Sequence, residues 1–191
     1  MNRGIRILTY VFPFLIWEFL AQQNLIDKFY FSSPKEILRR FIEMLNDGTL
    51  ISNSVYTLAE AGFGFLLGTL LGSFIAYVAF KVKVIETFLT PLFNILNSLP
   101  RIAFAPLIIL FFGFGFSSKV VIVISLVFFV TFFFVLNELK NIKPSIIERF
   151  QLLKVNKQSQ LKLLLLPALF NGVIKSLHLN MAFSFVGAIV V

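Results

Sequence analysis

Between Glu60 and Lys81 the chain carries no charged side chain, and the same holds over residues 102–118, 120–137 and 176–191. A helix rises about 1.5 Å per residue, so about 20 mainly apolar residues cross the hydrocarbon core of a bilayer. Hydrophobic residues make up 58% of the chain and charged ones 14%, against roughly a quarter charged in ordinary soluble domains. A water-soluble enzyme of this size could not bury that much apolar side chain. In lipid every backbone group must be satisfied internally, which leaves helices or closed barrels. Runs this long are helical, so the expected fold is all-α: a polytopic transmembrane bundle forming a single domain over 1–191.

Five spans are predicted: 7–26, 55–80, one within 87–115, 119–137, and one from about 168 onward, with the core spans lying in 55–191. The first is interrupted by Glu18. Arg3 and Arg6 ahead of an apolar core resemble a secretion signal, but Pro13, Trp17 and Glu18 break that core. Ala21-Gln22-Gln23 is also a poor cleavage site, so an uncleaved helix is expected. Between the first two spans, Ser33 offers an N-cap and Pro34 a first helical position, predicting a helix over 34–46. Its apolar residues share one face and its charges lie elsewhere, the pattern of a helix lying in the membrane interface.

Seventeen Lys and Arg against nine Asp and Glu give a net charge of +8. In a membrane chain such a surplus belongs to cytoplasmic loops, and no nucleic-acid partner is expected. With the N-terminus inside, ten of the 17 fall in inner segments and five in outer ones, so the N-terminus and the 138–166 loop are predicted to be cytoplasmic. The chain has no cysteine and one histidine, so no metal site and no cofactor is expected. His178 reads as a hydrogen-bonded packing residue. No phosphate-binding Gly-x-x-x-x-Gly-Lys-Ser/Thr loop is present.

Gly64, Gly68, Gly72 and Ala76 recur at intervals of four, a stripe along which another helix can approach closely. Glu60 stands one turn earlier, expected to face the bundle or the outer interface, with no partner evident for a proton relay. In the third span Pro91, Pro100 and Pro106 interrupt helical hydrogen bonding around Arg101. Broken helix at membrane depth is tolerated where protein or a water-filled cavity satisfies the freed groups. Arg101 therefore reads either as marking a pathway lining or a short re-entrant turn, or as snorkelling at an interface. The 26 phenylalanines read as lipid-facing bulk.

The 138–166 loop is too long for a hairpin and is patterned as two short amphipathic helices, Pro144 starting the first and Pro167 separating the loop from the last span. Asn156 offers a polar break between them and Ser159 a cap. A basic loop resting on anionic headgroups accounts for the charge, but not for the apolar Phe150, Leu152 and Leu153.

Here the chain resembles the integral-membrane permease subunit of bacterial ABC importers, in the group of aliphatic sulfonate, taurine, nitrate and thiamine-precursor permeases. The family's cytoplasmic signature runs Glu-Ala-Ala, three residues, Gly, nine residues, Ile-x-Leu-Pro. Glu148-Arg149-Phe150, Lys154 and Leu164-Leu165-Leu166-Pro167 follow that spacing without a gap, with Lys154 where the glycine stands. The run from Ser98 through Pro100-Arg101-Ile102-Ala103-Phe104-Ala105-Pro106 to Gly113-Phe114-Gly115 and Ser118-Lys119 is similar to the group's third span. Ser32-Ser33-Pro34 and Thr57-Leu58 with Gly64-Phe65 are similar too, although Glu60 stands where a basic residue is common.

The resemblance implies a permease homodimer around a pathway, carrying no chemistry of its own. An ATP-binding subunit would dock on Glu148, Arg149, Phe150, Leu153, Lys154, Leu164, Leu166 and Pro167, and an external binding protein would deliver a small anionic or polar solute past Pro100, Arg101 and Pro106. It also implies a further span beyond Gly187-Ala188-Ile189-Val190-Val191. The alternative is a non-transporting accessory protein or remnant of such a permease; a secondary transporter fits less well, since no internal repeat is visible.

Overall fold

The structure, a computed structural model, describes residues 3–23, 25–27 and 30–190, with side chains from residue 8 onward apart from those of 101 and 102. Every element among the described residues is helical. Contacts divide the chain into two units, Met1–Val55 and Tyr56–Val191.

In the first unit, α1 (Arg3–Gln22) keeps Pro13 within it. Helix α2 (Pro34–Asn46) starts where the Ser-Pro pair predicts: the Ser33 hydroxyl accepts from the Glu36 N–H at 3.2 Å, and Pro34 needs no partner for its nitrogen. Glu18 is more than an interruption in α1. Its carboxylate accepts from the Lys35 N–H at 3.0 Å and from the Gln22 amide at 2.9 Å, satisfying another orphan donor of α2. No residue of α2 is buried. The Asp47 carboxylate then accepts from the Thr49 N–H at 2.8 Å, where the next helix begins.

That helix, α3 (Thr49–Lys81), starts six residues before the predicted span. It is followed by α4 (Lys83–Ser98), a single 3₁₀ turn over Arg101–Phe104, and α5 (Ala105–Phe112). Next come α6 (Phe116–Lys140), α7 (Pro144–Leu152) and α8 (Lys157–Gln160), then a π turn over Leu161–Leu165 that leads into α9 (Leu166–Ile189). Among the described residues three helical runs are long and apolar enough to cross a membrane: Thr49–Lys81, Phe116–Lys140 and the continuous Lys157–Ile189. Leu8–Gln22 is a shorter apolar helix.

The second unit is built around α6, which is buried on two sides. On one side lies the small-residue stripe of α3: a Cβ built on Gly64 would run into Val123, one on Gly68 would come 2.9 Å from Val127, and one on Gly72 2.6 Å from the Phe128 carbonyl. On the other lies α9, where a Cβ on Gly172 would come 2.6 Å from Val135 and one on Gly187 2.9 Å from Val123. Contact order gives the directions. Ascending residues of α3 meet ascending residues of α6, so the two are parallel, whereas α9 runs against both.

Parallel neighbours need a connection that travels back. The segment 82–115 makes that return along α6 itself. Glu86 pairs with Lys140 at the end of α6; Phe93 meets the rings of Phe128, Phe129 and Phe132 edge-on at 5.5, 5.2 and 4.8 Å; Ala105 packs by Ile122 and Leu126 near its start. The expected single span within 87–115 is therefore two helices and a turn. Pro100 supplies the reason: the residue before a proline avoids the helical region, and Leu99 is extended at φ −80°, ψ 140°. The phenylalanines correct the expectation of lipid-facing bulk in part, since Phe132 is fully buried in this aromatic cluster.

Candidate functional site

Three places in the second unit carry the residues singled out from the sequence. The first is the segment after α6. Pro144 opens α7 as expected, and α7 closes with a Schellman turn: the Lys154 N–H donates to the Gln151 carbonyl at 2.9 Å and the Val155 N–H to that of Phe150 at 3.0 Å. Lys154 takes φ +49°, the left-handed conformation that such a turn demands and glycine adopts most readily. The position matching the signature's glycine is thus the left-handed position of the turn, occupied here by lysine. Asn156 rather than Ser159 is the next cap, its side chain accepting from the Ser159 N–H at 2.7 Å.

The expected second short helix is the start of the last long one. Pro167 does not separate the two: it sits in the first turn of α9, and the wider turn before it, with the Leu166 N–H bonded to the Leu161 carbonyl, carries the helix past the missing donor. Glu148, Arg149, Leu153, Lys154, Leu166 and Pro167 are exposed, while Phe150 and Leu164 are half-buried. Leu152 and Leu153 are 82% and 76% exposed at the end of α7.

The second place is the break between α4 and α5. Pro100 is exposed and outside any helix, Arg101 opens the 3₁₀ turn, and Pro106 stands in the first turn of α5, where its missing N–H costs nothing. The side chain of Arg101 lies outside the described residues. Gly113 and Gly115, at φ +75° and +134°, turn the chain into α6.

The third is the α3–α6–α9 contact. Gly64, Gly68 and Gly72 lie against α6 of the same chain. Glu60 heads their stripe with a partner after all: its carboxylate lies 3.3 Å from the Lys119 ammonium, the ion pair shielded at the start of α6. A matching stripe on α9 went unread in the sequence. Gly172, Ser176, Asn180, Ser184 and Ala188 also recur every four residues, and all are buried. The Asn180 amide donates to Thr131 of α6 at 2.8 Å and to Ser176 at 3.0 Å. Such side-chain bonds join helices where lipid offers no hydrophobic drive. His178 is exposed on α9, not a packing residue of this bundle.

At the Lys81 and Lys140 end, ion pairs join the helices. Glu86 is buried between the ammonium groups of Lys140 at 2.6 Å and Lys83 at 2.8 Å, and Lys175 of α9 meets Glu138 of α6 at 2.6 Å. Glu86 stands in the first turn of α4, where the returning segment begins, and both lysines hold it there.

Apolar helical runs joined by small-residue stripes and a broken return segment define a multi-pass helical membrane protein. Residues 68–191 match the family described as binding-protein-dependent transport system inner membrane component, and the chain belongs to that family. Its members are transport subunits and not enzymes. Over 175 residues the chain is 26% identical to a Bacillus subtilis protein named as an aliphatic sulfonates transport permease, covering 92% of this chain and 63% of that relative. It is 26% identical to a formylaminopyrimidine transport permease protein of Halalkalibacterium halodurans over 96% of this chain and 72% of the relative. A riboflavin transport system permease protein of Chloroflexus aurantiacus is 29% identical over 85% and 62%. The chain thus spans somewhat less than two thirds of the first of these.

Proposed function

We propose that this chain is the pathway-forming permease subunit of an ATP-driven importer, present as a homodimer, for a small polar or anionic solute such as a sulfonate, nitrate or thiamine precursor. The observation that carries this reading is α7: a short helix in the segment matching the family's cytoplasmic signature, with Leu152 and Leu153 open at its end. Apolar side chains this exposed, beside Glu148 and Arg149, suit the groove and rim of a docked ATP-hydrolysing subunit. An external binding protein is the corresponding partner on the other face.

In this reading the chain crosses the membrane five times. Helix α1 makes the first crossing and α2 lies in the interface. Helix α3 makes the second, α4 and α5 together the third, α6 the fourth and α9 the fifth. The N-terminus and α7 are cytoplasmic, as the distribution of basic residues favours. The break at Pro100, Arg101 and Pro106 borders the pathway, since interrupted helix at this depth needs protein or water beside it. The relatives named for sulfonates, formylaminopyrimidine and riboflavin support a polar solute without singling one out.

Affinity capture of the tagged chain from its native membranes, followed by an ATPase assay, tests the reading. An ATP-hydrolysing partner is expected to co-purify, and Glu148→Ala or Leu153→Asp to release it. Capture without ATPase activity, or retention by both variants at the unsubstituted level, overturns the docking role and favours an accessory protein.

A further inference from the structure

A cleft of about 570 Å³ opens between the last turns of α3 and the first turns of the final helical run, lined by Tyr77, Lys81, Lys157 and Gln158 with Leu161 and Leu165 among its apolar residues. We propose that it binds a phosphate-bearing anion, supplied by the headgroup of an anionic phospholipid.

At this end of the bundle Lys83 and Lys140 are taken up by Glu86, and Lys175 by Glu138. Among the described residues Lys81 and Lys157 have no carboxylate partner, and no acidic residue lines the cleft they share. Lys81 is held over the Tyr77 ring, 5.8 Å from its centre, which limits where its ammonium can go. Gln160 spends its amide on the Val155 carbonyl at 2.9 Å, bracing the wall on the α8 side.

Position selects the ligand. Lys81 is the last residue of one membrane-length helix and Lys157 the first of another, so the cleft opens at the depth where hydrocarbon gives way to headgroups. Leu165 is buried and Leu161 half-buried, so the site joins an apolar wall to two ammonium groups. A phospholipid presents the same two chemistries in the same order, acyl chain and then phosphate. This placement holds whichever way the chain is oriented, and it does not depend on the docking role of α7.

The test is retention of lipid by the purified full chain, read by native mass spectrometry with phosphatidylglycerol or phosphatidylcholine added. Phosphatidylglycerol is expected to be retained in preference. A juxtamembrane lysine contributes roughly fivefold in affinity for an anionic surface, so Lys81→Gln with Lys157→Gln should weaken retention by about 25-fold. The arginine pair at the same positions should restore it, and Lys143→Gln, an exposed lysine outside the cleft, should leave it unchanged. Displacement of the lipid by millimolar inorganic phosphate would assign the site to a soluble phosphate; lack of displacement assigns it to the headgroup. Equal retention of the two lipids, or no loss in the glutamine pair, overturns the site.

Discussion

Lys154 shows how much one backbone angle can carry. An L-residue in the left-handed region costs about 1–2 kcal/mol relative to the right-handed one, because its Cβ crowds the following carbonyl. The turn after α7 imposes that conformation through two hydrogen bonds that terminate the helix. Lys154→Gly is therefore expected to stabilise this turn by about 1 kcal/mol, seen as slower amide exchange at Val155 relative to the unsubstituted chain, with no change if the turn is absent. From the sequence, lysine at the signature's glycine position reads as a departure. The fold shows the conformation retained and the side chain changed. Asn180 gives the converse lesson. It is a polar residue in an apolar run whose meaning depends on Thr131, 49 residues away, and no local pattern reveals that partner.

At the scale of elements, close approach and charge do separate work. Gly64 and Gly62 are neighbours on α3, yet a side chain on the first strikes Val123 while the second has open space around it. Gly64→Leu is expected to cost about 1–3 kcal/mol through overpacking, whereas Gly62→Leu should stay within about 0.5 kcal/mol; reversible unfolding in a bilayer would read the difference. The Glu86 ion pairs join α4 to α6 at one end of the bundle. The stripe on α3 was legible because its spacing is local. The equal spacing on α9 was hidden by its chemistry, since serine and asparagine at the recurring positions do not look like small packing residues.

For the whole molecule the decisive relation is that α3 and α6 run parallel. In the proposed five-crossing reading, a chain that crosses along α3 returns through residues 82–115 before it runs along α6, although neither α4 nor α5 is long enough alone. The chain has no cysteine, so single cysteines report topology without background. Val84→Cys and Phe114→Cys, at positions 79% and 87% exposed, are expected to react with an impermeant thiol reagent from opposite sides of the membrane. Labelling of both from one side would remove the third crossing.

The sequence by itself determined that this chain is a helical membrane protein, where its long apolar runs lie, and that α2 begins at Pro34. These depend on the apolar length of each segment and on capping residues a few positions apart, which are local quantities. Only the tertiary structure decided that α6 is the helix both stripes press against, that Glu60 and Glu86 have lysine partners, and that the final helix continues through Pro167 by widening one turn. Those outcomes depend on groups distant in the chain meeting in space, and a polar or small residue gains its role there from the neighbour it meets.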